Sequence, residues 1–78
     1  MNKSSEKLKV LTEHLRKYPD DEDALIERGR LYWSLNRRSE SINDYLAAQR
    51  LNPDGKASHL LKATYDILDF YNKDLYNP

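Results

Sequence analysis

Residues 22–55 read EDALIERGRLYWSLNRRSESINDYLAAQRLNPDG, two helix-period patterns separated by a short polar turn. The cluster Asp20-Asp21-Glu22-Asp23 stands at the head of the first pattern. Its carboxylates can cap free backbone amides and complement the positive end of a helix dipole. The pattern predicts a helix that begins after Pro19 and runs to about Leu35. Asn36 then suits a left-handed stop and Ser39 suits an N-cap. A further helix carries Ile42, Tyr45, Ala48 and Leu51 toward a core, and Asn52-Pro53-Asp54-Gly55 ends it. No stretch alternates with period two over a strand's length, so the fold class is all-α. With connections only a few residues long, consecutive helices are expected to be antiparallel neighbours.

Working outward, Pro19 and Pro53 are 34 residues apart, and that spacing exposes an internal repeat. Laying Ser5–Asp20 over Ser39–Asp54 gives five identities in 16 pairs: Ser5/Ser39, Glu6/Glu40, Arg16/Arg50, Pro19/Pro53 and Asp20/Asp54. Chance alone gives about one. The next segments keep residue character, with Ile26 on Leu60, Arg28 on Lys62 and Gly29 on Ala63. The chain before residue 22 therefore holds a helix from about Ser4 to Lys17, with Leu8, Leu11 and Leu15 on one stripe. The chain after residue 55 holds a fourth helix, from about Lys56 to Asp74.

The central unit, Glu22 to Gly55, resembles a tetratricopeptide repeat, a 34-residue helix-turn-helix unit with a W-x2-L-G-x2-Y…A-x3-F…P pattern. The matching residues are Leu25-x2-Arg28-Gly29-x2-Tyr32, then Ser41-x3-Tyr45, then Pro53, with Ala24, Glu40, Ile42 and Leu51 of fitting type. The resemblance implies that Gly29 lets the two helices approach, that the ring of Tyr32 fills the space beside it, that Tyr45 packs back from the second helix, and that Ala48 keeps the crossing tight. Leu25, Arg28, Ser41 and Asn36 depart from the usual Trp, Leu, Ala and Gly. The stem of Arg28 is expected to lie along the helix pair with its guanidinium reaching solvent. On this division one domain spans residues 1–78: a preceding half-repeat helix (4–19), the full repeat (22–55) and a C-terminal packing helix (56–75).

One repeat and two halves are fewer than the three repeats such stacks normally need, because a unit cannot bury its own apolar faces alone. The fourth helix carries Leu60, Leu61, Ala63, Tyr65, Ile67, Leu68, Phe70, Tyr71 and Leu75 over roughly 220° of its circumference. Such a width exceeds what one neighbour covers. The favoured expectation is self-association, as a homodimer or larger, through Leu61, Tyr65, Leu68, Tyr71 and Leu75. The start of a longer repeat array, or packing wholly within the monomer, are the alternatives.

Composition narrows the function. Thirteen basic residues balance thirteen acidic ones, which argues against nucleic acid or an anionic membrane as partner. With no cysteine and two histidines, His14 and His59, on different helices, no metal site and no cofactor are expected. Apolar runs such as Ala24-Leu25-Ile26 are too short to span a membrane. The polar start Met1-Asn2-Lys3-Ser4-Ser5 has no secretion signal, so a cytoplasmic location is expected. No phosphate loop, nucleophile elbow or HExxH motif is present, and the chain is not expected to be an enzyme. The run Asp20 to Asp23 lacks the alternating ligand spacing of a calcium loop. Asp66 and Asp69 have no partner base and fit a solvated face.

The resemblance implies a protein interaction module in which the first helix of each unit lines a groove for an extended peptide or a partner's helix. The groove residues here are Asp23, Ile26, Glu27, Arg30, Trp33 and Ser34, joined by Leu60 and Thr64. Trp33 beside Arg30 is the expected anchor, unless it packs against the fourth helix. Groove positions of mixed or acidic type argue against a carboxylate-tail ligand. Two other readings stay open: a small RNA-binding protein using Arg28, Arg30, Arg37 and Arg38 beside Tyr32 and Trp33, and a purely structural oligomerisation unit.

Overall fold

The computed structural model describes residues 3–71, with the backbone alone at Tyr71. Every regular element among them is an α-helix: α1 (Lys3–Lys17), α2 (Glu22–Ser34), α3 (Arg38–Leu51) and α4 (Lys56–Tyr71). Residues 72–74, expected to extend the last helix, lie outside the described residues.

Local chemistry accounts for the boundaries. Asp21 is the N-cap of α2, its carboxylate accepting the Ala24 amide at 3.1 Å. After α2, Asn36 takes φ 63°, the left-handed conformation that asparagine tolerates better than most residues. The start of α3 differs from expectation. Ser39 lies inside the helix, and Arg37 precedes it without a side-chain cap, reaching forward instead to bind Glu40 through both Nε and Nη2. Pro53 and Asp54 form the turn before α4, which the Ser58 hydroxyl braces by donating to the Pro53 carbonyl at 2.5 Å.

Each helix packs on its neighbours in sequence, α1 on α2, α2 on α3 and α3 on α4. Contacts between α2 and α3 run in opposite senses along the two helices: Glu22 meets Asn52, Arg28 meets Asp44 and Gly29 meets Ser41. That is an antiparallel hairpin. Between α3 and α4, the Gln49 amide donates to Ser58 at 3.2 Å near their connection. The core is thin, with Leu11 and Leu15 from α1, Ala24, Leu25 and Ile26 from α2, Ala48 from α3 and Ala57 from α4. Leu31, Ala47 and Leu60 pack against it at the edges. Leu51, expected in this core, is 42% exposed, because it ends α3 beside the turn where no neighbouring helix covers it.

The α2–α3 crossing is the tightest part of the fold. Gly29 is buried, and a Cβ placed on it would lie 2.6 Å from Cε1 of Tyr45. Tyr45 thus packs back as expected, and Ala48 beside it has no exposed surface. Tyr32, expected to fill the space beside Gly29, also has charged neighbours. Its half-buried ring is flanked by two guanidinium groups, Arg28 at 5.6 Å and Arg37 at 4.8 Å from its centroid. The Arg28 guanidinium, expected to reach out to solvent, turns across the crossing instead. Its Nε and Nη2 each lie 2.7 Å from a carboxylate oxygen of Asp44, with 19% and 7% of the two side chains exposed. A fork-on-carboxylate pair satisfies both ions, so a cation replaces an aliphatic side chain at this crossing without an orphaned charge.

Candidate groove between α2 and α4

A groove runs between α2 and α4, which share hollows in the same order along both helices, Asp23 with Lys56 in one and Trp33 with Ile67 in the next. Two adjoining hollows divide it. The first is lined by Asp23, Ile26, Glu27 and Arg30 of α2 with Lys56 of α4. The second is lined by Arg30 and Trp33 of α2, Leu60, Ala63, Thr64 and Ile67 of α4, and Tyr45 of α3 beneath them. Arg30 belongs to both. One end of the groove is therefore charged, the other apolar, and a guanidinium stands at the boundary.

Seven of the eight groove residues read from the sequence line these hollows: Asp23, Ile26, Glu27, Arg30, Trp33, Leu60 and Thr64. Their roles divide. Ile26 and Thr64 are buried, so they form the floor and are not presented to a ligand. Asp23, Glu27 and Arg30 are exposed, while Trp33 and Leu60 are half-buried. Ser34 stands apart. Its hydroxyl donates to the Leu31 carbonyl at 2.7 Å, and it lines a separate hollow with Lys7 between α1 and α2. Position 34 falls one residue past Trp33, where the helix turns that side chain toward α1.

Trp33 lines the apolar end of the groove. Its ring is half-buried, and the Arg38 guanidinium sits 4.9 Å from its centroid. Tyr45 adds a polar atom to the groove lining. Burial raises its hydroxyl above the ordinary pKa, against the pull of a hydrogen bond with Ser41 and of the nearby positive charge of Arg30. Tyr45, Ala63 and Ile67 belong to the groove but were not expected there. Tyr45 comes from the intervening helix, and the other two were read only as part of the broad apolar sector of α4.

That sector is split by the fold. Leu61, expected on a homotypic face, is 3% exposed and belongs to the interior with Ala57 and Thr64. Leu68 is half-buried. Tyr65 is 48% exposed on one flank. Ile67 and Phe70, the latter 76% exposed, stand with Ala63 on the flank bordering the groove at helical spacing. The Tyr71 side chain and Leu75 lie outside the described residues. The outward face between the flanks is polar, with Lys62, Asp66 and Asp69 exposed and Lys62 placed 3.5 Å from Asp66.

A second concavity lies at the α1–α2 connection, lined by His14, Lys17, Tyr18, Pro19, Asp20 and Asp21. There His14 Nε2 contacts Asp21 Oδ2 at 2.6 Å, and the His14 and Tyr18 rings are 5.1 Å apart. This corner is open and already internally paired. Among the described residues no group of three or more histidine or carboxylate side chains is placed to hold a metal ion, and no helix is long and apolar enough to cross a membrane.

No family model matches the chain, and no curated protein or solved structure matches it either.

Proposed function

We propose that this chain is a protein interaction module of the tetratricopeptide type, which receives a peptide or a partner's helix in the groove between α2 and α4. The observation that carries this reading is the groove itself: an apolar trough of Trp33, Leu60, Ala63 and Ile67 over Tyr45, with exposed Asp23, Glu27 and Arg30 alongside. An apolar cleft with a few polar groups at its margin is the composition of a recognition site. A half-buried tryptophan beside an arginine is the residue pairing of an interface anchor. Supporting the repeat assignment are the 34-residue period and the close approach of Tyr45 to Gly29. The parallel pairing of α2 with α4 also fits, since these are the first helices of successive units. The proposal assigns no catalytic step and no cofactor.

Self-association enters the proposal on narrower ground, the exposure of Tyr65 and Phe70 on α4. Light scattering across a wide concentration range tests it. A dimer that Phe70→Glu dissociates supports homotypic contact, and a monomer at every concentration removes it.

The groove reading is tested by selecting peptides from a displayed random library against the whole chain, with an Ile67→Asp variant as counter-target. Peptides that bind the parent and not the variant, and that alter Trp33 emission, support the groove. Selection of peptides indifferent to Ile67 overturns it.

A further inference from the structure

The arginines of the α2–α3 corner fall into two classes. Arg28 is paired with Asp44 and Arg37 with Glu40. Arg30 and Arg38 have no carboxylate partner among the described residues, and they flank the one tryptophan of the chain, Arg30 along the groove and Arg38 over the Trp33 ring. Both are exposed. Arg30 lines the trough, and Arg38, which lines neither hollow, adjoins it through the Trp33 ring that it covers; guanidinium groups beside an apolar trough favour a ligand that brings its own carboxylates, because the ligand's apolar body excludes water from the pair.

We infer that the ligand of the groove is a protein segment in which an apolar side chain, seated between Trp33 and Ile67, is flanked by acidic side chains that meet Arg30 and Arg38. This rests on the groove reading above and specifies its partner. The same two cations and ring could in principle address a nucleotide phosphate and base. The trough argues for the peptide: Leu60, Ala63 and Ile67 form an apolar wall that suits an aliphatic or aromatic side chain, and one face of the Trp33 ring is already taken by Arg38, which leaves less of it for a stacked base.

The test uses the whole chain and nine-residue peptides with both ends blocked. Each peptide carries a central Leu or Phe, and the flanking residues are Asp/Glu, Asn/Gln or Lys/Arg in three matched series. Since Trp33 is the sole tryptophan, its emission reports binding at the site. The acidic series is expected to bind about three- to tenfold more tightly than the amide series, with the difference shrinking as salt is raised. The double variant Arg30→Gln/Arg38→Gln is expected to equalise the two series, and its circular dichroism and melting temperature are to match the parent. Equal or tighter binding of the amide or basic series, still abolished by Ile67→Asp, overturns this inference and leaves the groove reading standing. Absence of binding by every series overturns both. A single-stranded oligouridine probe that binds more tightly than any peptide and needs both arginines replaces the protein partner with RNA.

Discussion

The Tyr45 ring occupies the space that any side chain at position 29 would claim: a Cβ on Gly29 would stand 2.6 Å from Cε1 and 2.8 Å from Cδ1, with the Ser41 carbonyl oxygen at 3.3 Å. A buried ring on the facing helix cannot swing away without opening the crossing. Gly29→Ala is therefore expected to cost about 1–3 kcal/mol, and Gly29→Leu more, through overpacking. Urea denaturation measures both. An unchanged midpoint for the alanine variant would mean that α2 and α3 cross elsewhere.

The Arg28–Asp44 pair makes a sharper prediction about charge. Asp44→Ala leaves a largely covered guanidinium without its counter-ion, and a loss of about 2–4 kcal/mol is expected. Replacing both residues, Arg28→Leu with Asp44→Leu, removes the two ions together and is expected to recover most of that loss. A double-mutant cycle in denaturant provides the comparison. Simple additivity of the single losses would show that the two side chains do not act on each other.

Ser41 stands with no exposed surface, and its hydroxyl donates to the Gly29 carbonyl at 2.6 Å. Ser41→Ala keeps the packing and deletes that bond, so a loss of about 1 kcal/mol is expected. Thermal melting under otherwise identical conditions detects it. A gain in stability would mean that the hydroxyl is a burden at the crossing.

Asp21 links α1 to the start of α2. Its carboxyl is held below the ordinary value of 3.8, first by the contact with His14 and then by the Ala24 amide. A depressed folded-state pKa means stability that is fully present above the unfolded value and lost as pH falls through the folded one. Stability is thus expected to fall along an acid limb beginning below about pH 4, and Asp21→Asn is expected to flatten that limb. Urea midpoints measured at a series of acidic pH values on both proteins decide it. Parallel acid limbs would remove Asp21 as the titrating group.

The four helices were legible because their punctuation is local: Pro19, Asn36 and Pro53 act on their own backbones, and Asp21 caps the helix it precedes. Gly29 and Tyr45 were legible for a related reason, since 16 residues of hairpin with a short turn bring those positions together in any antiparallel register near this one. The Arg28–Asp44 pair was hidden, although it spans the same separation, because nothing in an isolated arginine says whether its stem carries the charge outward or across the crossing. Only the position of Asp44 on the facing helix decides that. Leu61 and Ile67 illustrate a second limit. A helical wheel gives the width of an apolar sector but not which part a neighbour covers, and here α3 takes the arc with Leu61 while the groove takes the arc with Ile67. Ser39 is no cap because the helix begins one residue before it, at Arg38.

The packing of each helix on its neighbours in sequence has a kinetic consequence. Most contacts are local along the chain, and closing short connections costs little entropy, which places folding in the microsecond-to-millisecond range of helical bundles. The α2–α3 hairpin, with its crossing at Gly29 and its buried ion pair, can serve as a nucleus onto which α1 and α4 dock from opposite sides. Amide hydrogens near Gly29 and Tyr45 are then expected to be the last to exchange with solvent. Those of the outer helices are expected to open earlier, which would make the wall of the groove supplied by α4 less stable than the wall supplied by α2.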